Sequence, residues 1–285
     1  MGLPDPANKW AKYPFAPGYL GYAEVVEAGP KAKGFRRGQK GLISVAHQTW
    51  TAVADPPGMF IPFLPVPARL DPKHALFTGL VHVSLTAVRA SALPAKSTVA
   101  VLGLGIVGNL AAQLLQLAGR RVVGVDLSEP RRAAAKACGI RHVVGGRGIT
   151  TADAVAGALK GIKVDGVVEA TGIPGLVNEA LNLVRPGGEV VFLGSTRGKV
   201  EIDVYKHIHR KGVNLRGAHA ALQAGLPPFW PDPKAHRWCV AQLAARKVKV
   251  GPLLTHEIGP KDLLPAYDGL LNDPDHYQGV VVRWA

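Results

Sequence analysis

Only two of the 285 residues are cysteine, Cys138 and Cys239, too few for a disulfide framework or a four-cysteine zinc site. A reducing compartment follows. No apolar run reaches the roughly 18 to 20 residues that cross a bilayer, and the start at Met1 lacks the charged and apolar regions of a secretory leader. The expectation is a soluble, cytoplasmic protein. Acidic residues are scarce, 20 against 34 Lys and Arg, and the net charge of +14 favours anionic partners such as a dinucleotide or a phosphorylated or CoA-linked substrate. Aromatics make up 6% and do not interleave with the short basic clusters at residues 31–40, 120–121, 131–132, 207–211 and 246–249. That argues against nucleic acid as the main partner. No G-x-S-x-G elbow or nucleophilic cysteine context is present, so hydrolase chemistry is unsupported.

What is present is a hydrophobic fraction of 47%, enough to bury a core divided into two lobes. From about residue 98 to 218 short β-rich runs alternate with helical segments. The runs are TVAVL, RVVGV, RHVV, DGVVEA, GEVVFL and VNLRGA, and the helices fall at 106–118, 129–137, 151–159, 175–184 and 204–210. Six strands with helical crossovers predict an α/β fold, a doubly wound parallel sheet of two mononucleotide-binding halves. Residues 1–75 are rich in proline and hold short strand-like pieces, AEVVEA and KGLISV, as an irregular β-rich lobe would. Helices are expected at 235–246 and 261–271, and a closing strand at 279–284. The cleft between the lobes is the natural place for a substrate.

VAVLGLGIVG ends a strand with Gly103, Gly105 and Gly108 in the spacing G-x-G-x-x-G, and a helix follows. Gly103 permits a tight turn, Gly105 lets the backbone approach a pyrophosphate, and Gly108 lets helix and strand pack closely. The helix end at Ile106 and Val107 then faces the phosphates. Asp126 ends the next strand and suits a ribose 2′-hydroxyl while repelling a 2′-phosphate, so the expected cofactor is NAD. Arg131 either contacts the cofactor or is a surface charge, as is Arg132. Thr171, Gly172, Gly194 and Ser195 lie at carboxyl ends of central strands, where ligands bind in such sheets.

Together APGYLGYAEVVEAG, RRGQKG, VAVLGLGIVG with Asp126, VVEATG, RPGGEVVFLG and KGVNLRGA resemble the medium-chain dehydrogenase/reductase superfamily, from about Tyr13 onward. The resemblance implies a GroES-like catalytic lobe, residues 1–80 with a return at 220–285, interrupted by a Rossmann lobe at 81–219. It implies a homodimer joined through the sixth Rossmann strand. Relative to that family the catalytic lobe is truncated at its amino end. Zinc-dependent members carry Gly-His-Glu where this chain has Gly18-Tyr19-Leu20; a second ligand would fall on Thr78, and an early cysteine ligand is absent. The chain looks closest to a zinc-free, alcohol dehydrogenase-like branch, and no metal is expected.

Without zinc, a side chain must move the proton at the substrate oxygen, and the candidates are Tyr19, His47, His82 and His219. Tyr19 occupies a vacated ligand position or fills it with its ring. His47, followed by Gln48, lies in the loop where the resemblance opens the cleft. His82 faces the cofactor or is a core residue. His219 follows the sixth strand. The reading is a zinc-independent, NAD(H)-dependent oxidoreductase of a secondary alcohol and a ketone, and the basic charge balance leaves room for an anionic substrate. Enoyl or quinone reduction with NAD(P)H, and a non-catalytic dinucleotide-binding sensor or subunit, are the alternatives.

Overall fold

A computed structural model of the chain describes residues 16–32, 34–52, 63–219 and 232–284. The glycine-rich turn at residues 16–20 feeds β1 (Gly21–Glu24), which pairs antiparallel with β2 (Lys40–Ile43) in a register of Gly21 to Ile43 and Glu24 to Lys40. β3 (Leu64–Pro65) flanks β2. The strand expected over AEVVEA therefore begins earlier and ends at Glu24. Val26 beyond it is half exposed, with no apolar face to hold it in a sheet.

After a short helix α1 (Pro72–Ala75), capped by the Asp71 carboxylate, comes α2 (Thr78–Ala90). The boundary expected at residue 80 falls inside this helix. The alternation then runs β4 (Thr98–Leu102), α3 (Ile106–Leu117), β5 (Arg121–Val125), α4 (Glu129–Ala137), β6 (His142–Val144) and α5 (Thr151–Leu159). It continues through β7 (Val164–Glu169), α6 (Leu176–Leu183), β8 (Val184–Phe192) and β9 (Asn214–Gly217). The segment expected as a helix near 204–210 is a π-helical turn, Tyr205–Arg210. Each residue of β4 is buried, as a central parallel strand covered on both faces requires.

The six strands are parallel in the order β6-β5-β4-β7-β8-β9. The chain lays β4, β5 and β6 outward, then returns to the other side of β4 with β7. The switch point is thus between β4 and β7, and loops leaving the carboxyl ends of those two strands diverge around a crevice. One face of the sheet is filled by Val99, Val101, Leu104, Leu115 and Val191, the other by Leu102, Val123, Leu159, Val167 and Leu181.

The last part of the chain holds α7 (Pro233–Ala244), β10 (Leu254–Ile258), α8 (Leu263–Asn272) and β11 (Gly279–Val282), with β10 and β11 paired in parallel. β10 has no counterpart among the sequence expectations. A third core cluster joins the parts: Leu42 and Leu64 of the small sheet meet Phe77, Val81, Leu110, Leu114, Leu243 and Leu253. Buried Gln113 of α3 adds a polar clasp. Its amide nitrogen donates to the Lys249 carbonyl at 2.9 Å, and its amide oxygen accepts from the Lys249 N–H at 2.7 Å.

Candidate functional site

The loop after β4 shows why its three glycines are glycines. Gly103 has φ +88°, the left-handed region, and a Cβ there would lie 2.6 Å from Thr171 Cγ2. A Cβ on Gly108 would strike the Gly103 carbonyl and come 3.1 Å from Ala170 Cβ. At Gly105, the residue preceding α3, the Cβ position opens on empty space, and no side chain caps the helix. The amide groups of Ile106 and Val107 thus form an open cradle with the positive end of the helix dipole behind it, the arrangement that binds a phosphate.

Asp126 follows β5 and helps shape this cradle. One carboxylate oxygen accepts the Leu104 N–H at 2.7 Å, and the other accepts the Ser128 N–H at 2.8 Å. The Arg131 guanidinium is 4.0 Å from the carboxylate and donates to the Pro274 carbonyl at 3.2 Å. Arg132 donates to the carbonyls of Asp126 and Leu127 at 2.9 and 2.8 Å. Both arginines therefore tie backbone together instead of standing free on the helix.

On the other side of the switch point, β7 ends at Glu169, a fully buried residue the sequence reasoning passed over. Its carboxylate accepts the Thr171 N–H at 2.7 Å, the Gly172 N–H at 3.2 Å to each oxygen, the Thr196 hydroxyl at 3.2 Å and the Thr171 hydroxyl. Its main-chain carbonyl accepts the N–H groups of Leu193 and Gly194. One residue thus organises both loops carrying Thr171, Gly172, Gly194 and Ser195. An acid ending a run of buried valines, DGVVEA, was the available signal.

The first lobe contributes a second group. Gly18, with φ +97°, lies so close to His47 that a Cβ would be 2.6 Å from its amide nitrogen, and that amide donates to the Pro17 carbonyl at 2.7 Å. A Cβ on Gly79 would lie 3.6 Å from Leu20 and 3.8 Å from the Tyr19 ring. Tyr19 and Leu20 therefore sit between His47 and the start of α2. Tyr19 is 61% exposed, yet enough protein surrounds it for desolvation to raise its phenol pKa, the combination produced by the wall of an open cleft. Desolvation lowers the pKa of His47 below its usual 6.5, and its Nδ1 has no hydrogen-bond partner among the described residues. The Trp284 ring stands beside it, with centroids 6.2 Å apart. The hydroxyl of buried Thr78 likewise has no partner among the described residues.

His82 is fully buried, and its ring packs on His236 of α7 with centroids 4.3 Å apart. His219 is exposed just beyond β9. Tyr19, Leu20 and Thr78 provide no thiolate, imidazole or carboxylate, and among the described residues no three His, Cys, Asp or Glu side chains converge on a possible metal position. This donor set does not fit a zinc ion.

A family model described as zinc-binding dehydrogenase matches residues 107–231. Over 222 residues the chain is 29% identical to the CYP enzymes assisting alcohol dehydrogenase of Catharanthus roseus, a match covering 74% of this chain and 56% of that protein. The chain thus spans little more than half the length of that relative. Over 282 residues it is 26% identical to L-threonine 3-dehydrogenase of Pyrococcus furiosus, covering 88% of this chain and 78% of that one. A solved alcohol dehydrogenase from Escherichia coli CFT073, complexed with NADH, superposes with a TM-score of 0.72 at 16% identity, covering 92% of this chain and 82% of the other.

Proposed function

The chain belongs to the medium-chain dehydrogenase/reductase superfamily, and from that premise we propose that it is a zinc-independent, NAD(H)-dependent oxidoreductase interconverting a secondary alcohol and a ketone. The observation that carries this reading is the uncapped amino end of α3, bared by Gly103, Gly105 and Gly108. The Ile106 and Val107 amides would hold the cofactor's pyrophosphate, Asp126 would meet the adenosine ribose, and the loops of Thr171, Gly172, Gly194 and Ser195 would border the nicotinamide half. When bound there, the nicotinamide exchanges a hydride with the substrate carbon.

Neighbours of this fold have been solved with NADH and with NADP, so the choice of NAD rests on Asp126. Its carboxylate is held in place by two backbone N–H groups and would oppose a 2′-phosphate. Arg131, already committed to Asp126 and Pro274, leaves no free guanidinium to offset that repulsion. The matched family is described as zinc-binding, but the match begins at residue 107, beyond the turn and helix where Tyr19, Leu20 and Thr78 stand. Proton transfer therefore falls to side chains. His47, neutral at pH 7 because burial lowers its pKa, takes the hydroxyl proton as a general base, and the Tyr19 phenol donates a hydrogen bond to the substrate oxygen. By analogy with the superfamily, two copies associate along the exposed edge strand β9.

Thermal melts with NADH and NADPH test the cofactor, with the larger shift expected from NADH; a larger shift from NADPH would contradict the role of Asp126. Assays on secondary alcohols test the chemistry. Oxidation should fall as pH drops through a pKa below 6.5, because a protonated imidazole accepts no proton, and His47→Gln should erase that acidic limb and slow turnover about 10²-fold or more. An unchanged pH profile in His47→Gln would remove His47 from the mechanism.

A further inference from the structure

Buried charge in a protein is paired with opposite charge or with a metal, because desolvation of a lone ion is costly. This chain follows the rule at its other sequestered carboxylates. Glu189, 3% exposed, pairs with Arg216 at 3.1 Å; Asp165 pairs with Arg185 at 2.6 Å; Asp126 has Arg131 at 4.0 Å. Glu169 departs from it. It is 0% exposed, and among the described residues it forms no ion pair, although the chain carries 34 Lys and Arg. Each group around its carboxylate is a neutral donor: the amides of Thr171 and Gly172 and the hydroxyls of Thr171 and Thr196. The carboxylate thus has hydrogen-bond donors on both oxygens but no charged partner among the described residues.

The place of this carboxylate tells which cation it would face when the cofactor is bound. Glu169 ends β7 at the switch point, where ligands of doubly wound sheets bind beyond the carboxyl ends of the strands. It lies on the opposite side of β4 from β5 and Asp126, hence in the half of the crevice that the dinucleotide reading gives to the nicotinamide. The loops it pins are the walls of that half. Oxidised nicotinamide carries a positive ring charge and reduced nicotinamide carries none. In a low-dielectric interior a fixed charge acts across a loop without direct contact.

We infer that Glu169 is the counter-charge for oxidised nicotinamide, so that the crevice holds the cationic form of the cofactor more firmly than it would without this residue and biases bound cofactor toward the oxidised state. The inference rests on the dinucleotide reading above and adds to it a positioning residue that acts through its field.

The test is calorimetric titration of NAD+ and NADH into the wild-type chain, Glu169→Gln and Thr196→Val. In Glu169→Gln, which keeps the shape and removes the charge, NAD+ should bind about tenfold more weakly, the size expected of a unit charge acting across several ångströms of protein, while NADH affinity stays within about twofold. A purely structural role would weaken both forms by the same factor, and that result would overturn the inference. Thr196→Val covers the case in which Glu169→Gln does not fold. It removes a hydrogen bond from the carboxylate and leaves its charge less screened, so the preference for NAD+ over NADH should rise; an unchanged or falling ratio would count against the anion. If neither dinucleotide binds the wild-type chain, the cofactor reading fails and takes this one with it. If both bind and the ratio stays put in both variants, only the counter-charge fails.

Discussion

At the scale of single residues, the glycine motif separates into positions with different tolerance. Gly108→Ala forces a methyl group into the Gly103 carbonyl, an overpacking that should cost about 1 to 3 kcal/mol and abolish dinucleotide binding. Gly105→Ala places its methyl in open space at φ −59°. It should fold with a nearly unchanged melting temperature and lose only cofactor affinity, because the added group covers the cradle. Thermal melts with and without NADH distinguish the two. The buried histidine pair makes a further prediction. Burial, together with the positive field of neighbouring His82 and Arg89 and against the attraction of Asp232, pushes the His236 pKa down to about 4. The unfolded chain binds a proton at this residue below pH 6.5 and the folded one does not until about pH 4. Stability is thus fully present above pH 6.5 and is lost as pH falls through this window, by up to about 3 kcal/mol. His236→Gln should flatten that slope in urea melts between pH 7 and 4.5. Backbone constraints were legible where they leave a mark in sequence, as at Gly103 and Gly108. The role of Glu169 was not legible, since it arises only when loops 27 residues apart, carrying Glu169 and Thr196, are folded onto the same carboxylate.

At the scale of elements, the α/β alternation was readable because each Rossmann strand is a short apolar run and each crossover helix is flanked by Gly, Ser or Thr at its ends. The first lobe was harder. Its strands are 2 to 4 residues long, too short for periodicity to fix a boundary, so β1 lies a few residues ahead of its expected place. β10 escaped because LTHEI alternates half-buried and exposed residues and pairs with a partner some 25 residues later. What joins the returning segment to the Rossmann sheet is equally invisible in sequence. Gln113 on α3 satisfies both backbone groups of Lys249. Gln113→Leu should leave the part-buried Lys249 N–H without its partner and the Lys249 carbonyl with only the Cys138 thiol, and destabilise the protein by about 1 to 3 kcal/mol, measurable by urea denaturation. Leu117 on the same helix is 42% exposed, so Leu117→Ala should change stability by less than about 1 kcal/mol.

At the scale of the whole molecule, the fold holds two chemically distinct regions: an amide-lined cradle on α3 with the positive helix end behind it, and a group of Tyr19, Leu20 and His47 packed at the start of α2. Their existence was readable from the motifs, but their proximity depends on the third core cluster, in which Leu20 and Ile106 pack against the same buried residues. That cluster carries much of the cohesion between lobes. Leu110 and Leu253 are each fully buried in it, and truncating either to Ala should cost about 2 to 5 kcal/mol. Loss of NADH-induced stabilisation should accompany Leu110→Ala, because α3 supplies the phosphate cradle.

The contact between His47 and Trp284 brings residues 237 positions apart into ring-to-ring proximity. An indole held beside a titrating imidazole is an optical reporter: a protonated ring quenches its emission and a neutral ring does not. Fluorescence that brightens as the solution is made less acidic, and loses that dependence in Trp284→Phe, would read the charge of His47 directly. The inner surface of the cleft then signals its own protonation state before any substrate has been identified.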